Sequence, residues 1–250
     1  MDFPNAPEAV PPAIISTDRG SFGDSTSIMP PFRLNIETGV TAAWRDRDGA
    51  ERQVINGPEL LARIGLVEDR LEFRALWSGV VDSREDMAGG GRSTADGLAD
   101  VALGLKLKCL DQDGWVPRTV LIAQTFLGTG SAEVTGDVDP TLKAALSWDL
   151  GDGWAFLANA GATWPSDSEG HFTQGLGSFL VSYAVAEETT LFAEWYATFP
   201  IARDDDGAHA IDVGVWQRIG PAVQLDLRVG CGLNDAADDL LVGAGISFLF

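Results

Sequence analysis

No run of apolar residues in this chain approaches the ~18 that a helix needs to cross a bilayer, which excludes a transmembrane helix. Basic residues are scarce: 17 Lys and Arg stand against 37 Asp and Glu, a formal net charge of −20. A chain so acidic repels phosphate backbones, so nucleic acid is excluded as a partner. Only two cysteines and two histidines occur among 250 residues. Cys109 and Cys231 fall near opposite strand ends, which argues against a disulfide, and no metal-type cysteine spacing exists. No metal and no cofactor are expected. Ser166 or Ser168 with His171 could be arranged as a hydrolase site, but spacing gives no support and no enzyme activity is expected. Asp204-Asp205-Asp206 reads as a solvated acidic loop, since the spacing of a calcium loop is absent. A signal peptide is also lacking from Met1 to Ser16, which is acidic and proline-rich. Three accounts of that stay open: a leader removed, a start placed elsewhere, or a chain that is not exported.

What the chain does have is alternation. At its end Val242, Ala244, Ile246, Phe248 and Phe250 share one phase, with Gly243, Gly245 and Ser247 between them. A period of two gives a strand one apolar and one wet face. Twelve such segments follow Phe32. The clearest set Leu34, Ile36, Val40, Ala42 and Trp44 against Arg33, Asn35, Glu37 and Thr41, and Val223, Leu225, Leu227 and Val229 against Gln224, Asp226, Arg228 and Gly230. The fifth segment, Thr119 to Leu127, has an ambiguous phase. Short turns follow even-numbered segments, as at Gly151-Asp152-Gly153, and longer polar loops are expected after odd ones, including Arg45 to Arg52 and Asp82 to Asp96.

This parity predicts an all-β fold: a closed, antiparallel, up-and-down transmembrane β-barrel of about 12 strands spanning residues 32–250, with apolar rows facing lipid. Residues 1–31 are expected to form a flexible segment, lying in the periplasm or plugging the lumen. The competing architecture is a soluble β-sandwich binding module with the same rows buried. Trp148 and Trp154 flank a short turn, while Trp44, Trp77, Trp164 and Trp195 lie toward the opposite strand ends, the placement of two interfacial aromatic girdles. The wet phase collects charges of both signs: Arg33, Glu37, Glu59, Arg63, Glu72, Arg74, Asp100, Lys106, Lys143, Glu194, Asp226 and Arg228. They form either a stiffening ion-pair network or a charged constriction that filters solutes.

A terminal strand ending on an aromatic resembles those of bacterial outer-membrane barrels, in which Phe248 and Phe250 would form the C-terminal assembly signal. The stretches Thr17-Asp18-Arg19 through Phe32-Arg33-Leu34, Pro58-Glu59-Leu60-Leu61-Ala62-Arg63-Ile64-Gly65-Leu66 with Arg70-Leu71-Glu72, Gly97 to Lys106, Leu127-Gly128-Thr129-Gly130-Ser131, and Gly230-Cys231-Gly232-Leu233-Asn234 resemble, in collinear order, one family. That family is the outer-membrane barrels named as transporters of the meta-pathway of phenol degradation; Leu127-Gly128 departs from its Leu-Pro. The resemblance implies residence in the bacterial outer membrane, outer-membrane lipids and the barrel assembly machinery as partners, and passage of small molecules, among them aromatic or hydrophobic compounds. A structural or adhesive barrel with a blocked lumen is the alternative.

Overall fold

The computed structural model of the chain describes residues 13–87, 89–131, 137–167, 169–200, 202 and 206–250. Residues 1–12 of the expected N-terminal segment, Ser168, Asp204 and Asp205 lie outside the described residues. Twelve antiparallel strands form one sheet: β1 (Leu34–Arg47), β2 (Ala50–Val67), β3 (Leu71–Trp77, resuming at Val80–Asp86), β4 (Arg92–Leu98, resuming at Val101–Leu110), β5 (Arg118–Leu127), β6 (Val138–Gly151), β7 (Trp154–Thr163), β8 (Gln174–Ala186), β9 (Thr189–Phe199), β10 (Ala208–Ile219), β11 (Val223–Gly232) and β12 (Leu240–Leu249). Each strand pairs with its sequence neighbours, and β1 pairs with β12 from Asn35↔Leu249 to Trp44↔Leu240, so the sheet closes into a ring; the Arg92–Leu98 part of β4 pairs on one side, with Val80–Asp86. Leu34 and Phe250 exchange backbone hydrogen bonds of 2.8 and 3.3 Å at the end of that seam.

The sheet is inside out with respect to a water-soluble domain. On β4, Leu103, Leu105 and Leu107 are 39–45% exposed while Lys106 and Lys108 are 0% and 4% exposed. On β11, Leu225, Leu227 and Val229 face outward while Gln224 and Asp226 are buried. A soluble protein does not leave contiguous apolar rows on its surface and charges in its centre. The sandwich alternative therefore fails: there is a single closed sheet, and its oily rows lie on the outside.

Turn chemistry sets the hairpins. Asp48-Gly49 and Asp152-Gly153 hold positive φ (54° and 77°, 50° and 83°), as two-residue hairpins require. The first of these corrects an expectation. Arg45 to Arg52 is no long loop, because β1 and β2 run on to a tight turn at Asp48-Gly49. Likewise, most of Asp82 to Asp96 is strand, with Arg84 facing Thr94 across the β3–β4 hairpin. These extensions carry polar residues on both faces, so alternation cannot announce them. The loop after β7 contains a small hairpin of its own, Ser166–Asp167 against Gly170–His171. β5 resolves with Val120 and Ile122 inward and Leu121 outward. Its phase is unreadable in sequence because the inner face is apolar too: Val120, Ile122 and Ala145 form a small core against Ile28.

Candidate functional site

The lumen contains part of the chain itself. Residues 13–31 carry no strand, and from Ile15 to Met29 many of them are buried within the ring. The wall binds them mainly through their backbone. Glu37 accepts the N–H groups of Asp18 (2.9 Å) and Arg19 (2.7 Å). Glu194 accepts those of Phe22 (2.7 Å) and Gly23 (2.9 Å), and Glu72 that of Met29 (2.9 Å). Asn159 accepts the Asp24 N–H at 3.1 Å and donates to the Asp24 carbonyl at 3.2 Å.

Charge adds a second layer. Arg63, fully buried, donates to Glu72 through Nε (2.8 Å) and Nη2 (2.9 Å), to Glu37 through Nη1 (3.2 Å), and to the carbonyls of Ser16 (3.0 Å) and Ser27 (3.1 Å). Asp18 sits among Lys106 (2.9 Å), Arg74 (3.2 Å) and Arg63 (3.5 Å). Asp24 binds Arg74 at 2.6 Å and also Lys143. Burial alone would raise the Asp18 carboxyl, but the cations around it, Arg63 foremost, hold it well below the usual carboxylate range. Asp24 is depressed in the same way, burial being outweighed first by Arg74 and then by Lys143. The wall presents the cations Arg63, Arg74, Lys106 and Lys143 and the carboxylates Glu37, Glu59, Glu72, Glu194 and Asp226 to the segment. The segment supplies two further carboxylates, Asp18 and Asp24, and one guanidinium, Arg19. Burying an unpaired charge costs several kcal/mol, and each of these three meets wall groups of opposite sign.

Arg19 occupies a slot at the closing seam. It pairs with Glu59, stands 3.6 Å from Asp226, and donates to the Ala244 carbonyl at 2.9 Å. The slot exists because Gly39 of β1 and Gly245 of β12 are paired across the seam, and a Cβ on either would collide with the guanidinium. The next residue, Gly20 (φ +97°), passes so close to the Trp216 indole that no side chain fits there.

Ten of the twelve charged residues named from sequence line the lumen around or above this segment. Two are placed elsewhere. Arg33 precedes β1 and is exposed. Asp100 lies in the interruption of β4 and accepts the Gly130 N–H at 2.8 Å. Glu59 meets Arg19 rather than a wall arginine, and Arg228 stands 3.6 Å from Asp212. Of the named tryptophans, Trp148 and Trp195 belong to the ring ladder of the outer wall, whereas Trp77 donates to the Ala99 carbonyl and borders a lumen cavity. Trp148 donates from Nε1 to the Trp115 carbonyl (2.9 Å) at the short-turn rim. A ladder of rings crosses the outer wall through Trp148–Phe156 (5.5 Å), Phe156–Phe179 (6.2 Å), Phe179–Trp195 (5.5 Å) and Trp195–His209 (5.8 Å). Phe248 and Phe250 lie 6.4 Å apart at the seam. Alternation puts Tyr196 on the wet face with Glu194, but sequence reasoning missed Phe192 and Trp216 as inward aromatics. Phe192 stacks on Trp216 (4.3 Å), whose Nε1 donates to the Arg19 carbonyl (3.3 Å), and Tyr196 stacks on Phe22 (4.5 Å). Strand parity was the available signal, since Phe192 and Tyr196 share the phase of Glu194. Among the described residues Ser166 and His171 do not form a triad, and Ser168 lies outside them. Asp139 receives the Ser166 hydroxyl at 3.0 Å and stands 3.7 Å from His171 Nε2, so the acid sits between the two.

Open space remains on both sides of the segment. Toward the short turns, a cavity of about 430 Å³ is lined by Ile15, Thr17, Leu157, Leu180, Trp216 and Gln224 among others. Toward the loops, a cavity of about 330 Å³ is lined by Phe22, Tyr196, Arg45, Arg52 and Arg228, and a further one of about 230 Å³ by Arg19, Asp24, Glu59, Arg74 and Trp77.

The model of the family described as "Putative MetA-pathway of phenol degradation" matches residues 17–250. Among solved structures, an outer membrane channel from Pseudomonas putida F1 is similar at 17% identity with a TM-score of 0.70, covering 90% of this chain and 98% of that one. The beta domain of the Bordetella autotransporter BrkA is similar at 15% identity with a TM-score of 0.58, covering 86% and 98%. The NanC porin is similar at 12% identity with a TM-score of 0.53, again covering 86% and 98%. No curated protein matches the chain. These likenesses establish the fold as an outer-membrane β-barrel.

Proposed function

The chain belongs to the family described as "Putative MetA-pathway of phenol degradation", and from that premise we propose that it is an outer-membrane channel for small molecules, aromatic or hydrophobic compounds among them. The observation that carries this reading is the pair of cavities set at opposite ends of one lumen, lined by aromatic, hydroxyl and charged groups and parted by residues 15–29. Outer-membrane lipids cover the exposed leucine rows, and the outward tryptophans at both rims are the interfacial anchors. Phe248 and Phe250 engage the assembly machinery as the seam closes. Residues 13–31 act as a plug whose charges match the wall, and the lumen groups select solute by width and charge. Passage involves no catalytic step.

One observation favours a second reading. The segment is held by buried ion pairs at Asp18, Arg19 and Asp24, which suits a structural or adhesive barrel with a permanently blocked lumen. Planar-bilayer conductance separates the two. The channel reading expects discrete openings from the full chain and a larger conductance after removal of residues 1–27, with folding checked by the migration difference between unboiled and boiled protein. Absence of conductance in both proteins, together with absence of aromatic solute uptake by vesicles, leaves only the blocked barrel.

A further inference from the structure

The loop-side cavity holds a charge arrangement that the barrel's own ion-pair network leaves unused. Arg45 and Arg52 are cross-strand partners on β1 and β2. Like charges placed directly opposite destabilise a sheet pair. Counter-ions usually relieve such a pair, and Arg47 nearby has Asp239. Among the described residues, neither Arg45 nor Arg52 has a carboxylate within 4.0 Å, although Glu85 is the register partner of Arg52 on its other side. Arg45 and Arg52 line the cavity of about 330 Å³ together with one acid, Asp238, and Arg228 borders it too, 3.6 Å from Asp212, so cationic side chains outnumber the acid in its lining. The opposite wall carries the stacked rings of Phe22 and Tyr196, 4.5 Å apart and within 11° of parallel. Two arginines without an ion pair within 4.0 Å share this cavity with a planar aromatic platform, and its space, larger than a single substituted benzene ring, is complementary to a flat ring bearing one carboxylate.

We propose that this cavity is a binding site for small aromatic carboxylates, with Arg45 and Arg52 holding the carboxylate and the Phe22–Tyr196 stack holding the ring. This rests on the channel reading and narrows its solute class. Guanidinium matches a carboxylate with paired N–H donors, which an ammonium does not, and such charge-assisted bonds are the strong ones. The ring adds stacking on Phe22 and a favourable contact with guanidinium faces. The whole chain is acidic, so selection occurs inside the pocket. There the two charges act at short range, whereas the net field of the surface is screened beyond about 8–10 Å at physiological salt.

Binding to the full-length barrel in detergent, followed by calorimetry with benzoate, benzyl alcohol and acetate as probes, tests the site. Benzoate is expected to bind at least about tenfold tighter than either benzyl alcohol, which lacks the charge, or acetate, which lacks the ring. Arg45→Gln and Arg52→Gln, singly and together, are expected to bring benzoate down to the level of benzyl alcohol and to leave benzyl alcohol unchanged. Tyr196→Leu is expected to weaken both ring-bearing probes and to leave acetate unchanged. Each variant is first shown to be folded by its heat-modifiable migration on a gel, and the single substitutions serve if the double one does not fold. Equal binding of benzoate and benzyl alcohol overturns the proposal. So does benzoate binding that survives in folded Arg45→Gln and Arg52→Gln, or acetate binding as tight as benzoate. Failure of the channel reading is seen separately: a barrel that binds benzoate but never conducts keeps this site and loses the transport role, and one that conducts without preferring benzoate does the reverse.

Discussion

The two sides of the lumen wall treat the enclosed segment differently. On the β1–β4 side the contacts are ion pairs: Arg63, Arg74 and Lys106 reach Asp18, Asp24, Glu37 and Glu72, all of them buried. On the β7–β10 side Glu194 and Asn159 hold the segment through its backbone, and beside them Leu157, Leu180 and Trp216 border the large short-turn cavity. The lesson is a division of labour. Ion pairs to side chains fix the segment on one side, and backbone contacts next to an apolar cavity wall leave room for a solute on the other.

The comparison can be broken at several points, and the largest effect belongs to the ionic side. Replacing Arg63 by Met leaves Glu37 and Glu72 buried without their shared cation, at a cost of about 3–5 kcal/mol. Urea titration read as loss of heat-modifiable migration would measure it. Next comes the outer surface. Leu227→Arg puts a charge on the lipid face of β11 and is expected to cost about 2–4 kcal/mol in lipid vesicles, whereas Asp226→Asn, one residue away on the inner face, is expected to cost less and to alter conductance instead. A smaller loss, about 2 kcal/mol, is expected for Leu180→Ala, at the low end for a buried leucine because its neighbours already border open space. If Leu180→Ala proves as damaging as Arg63→Met, the cavity side is no looser than the ionic one. At the bottom of the scale, Asp239→Asn at the solvent-exposed rim removes the partner of Arg47 and is expected to leave unfolding unchanged within error.

Much of this fold was legible because lipid imposes a strict period of two. The outward rows of β1, β4 and β11 follow from alternation, and the seam from the resemblance of the last strand to the closing strands of outer-membrane barrels. What escaped notice lies where that constraint lapses. The ends of β1, β2, β3 and β4 project past the apolar band, both faces meet water, and the chain reads as loop. In β5 the inner face touches Ile28 instead of water, and its phase dissolves. Arg63 with Glu37 and Glu72 was legible as a pairing, because three adjacent strands put them at one depth. The roles of Asp18, Arg19 and Asp24 were not, because a segment without secondary structure carries no period that would tell where its side chains end up.

The glycine slot of Arg19 has a consequence in time. One of its walls is Gly39, on the first strand of the barrel, and the other is Gly245, on the twelfth. The slot does not exist until those two strands have met, so Arg19 cannot settle before the ring closes, and a trapped Arg19 marks a seam that is complete.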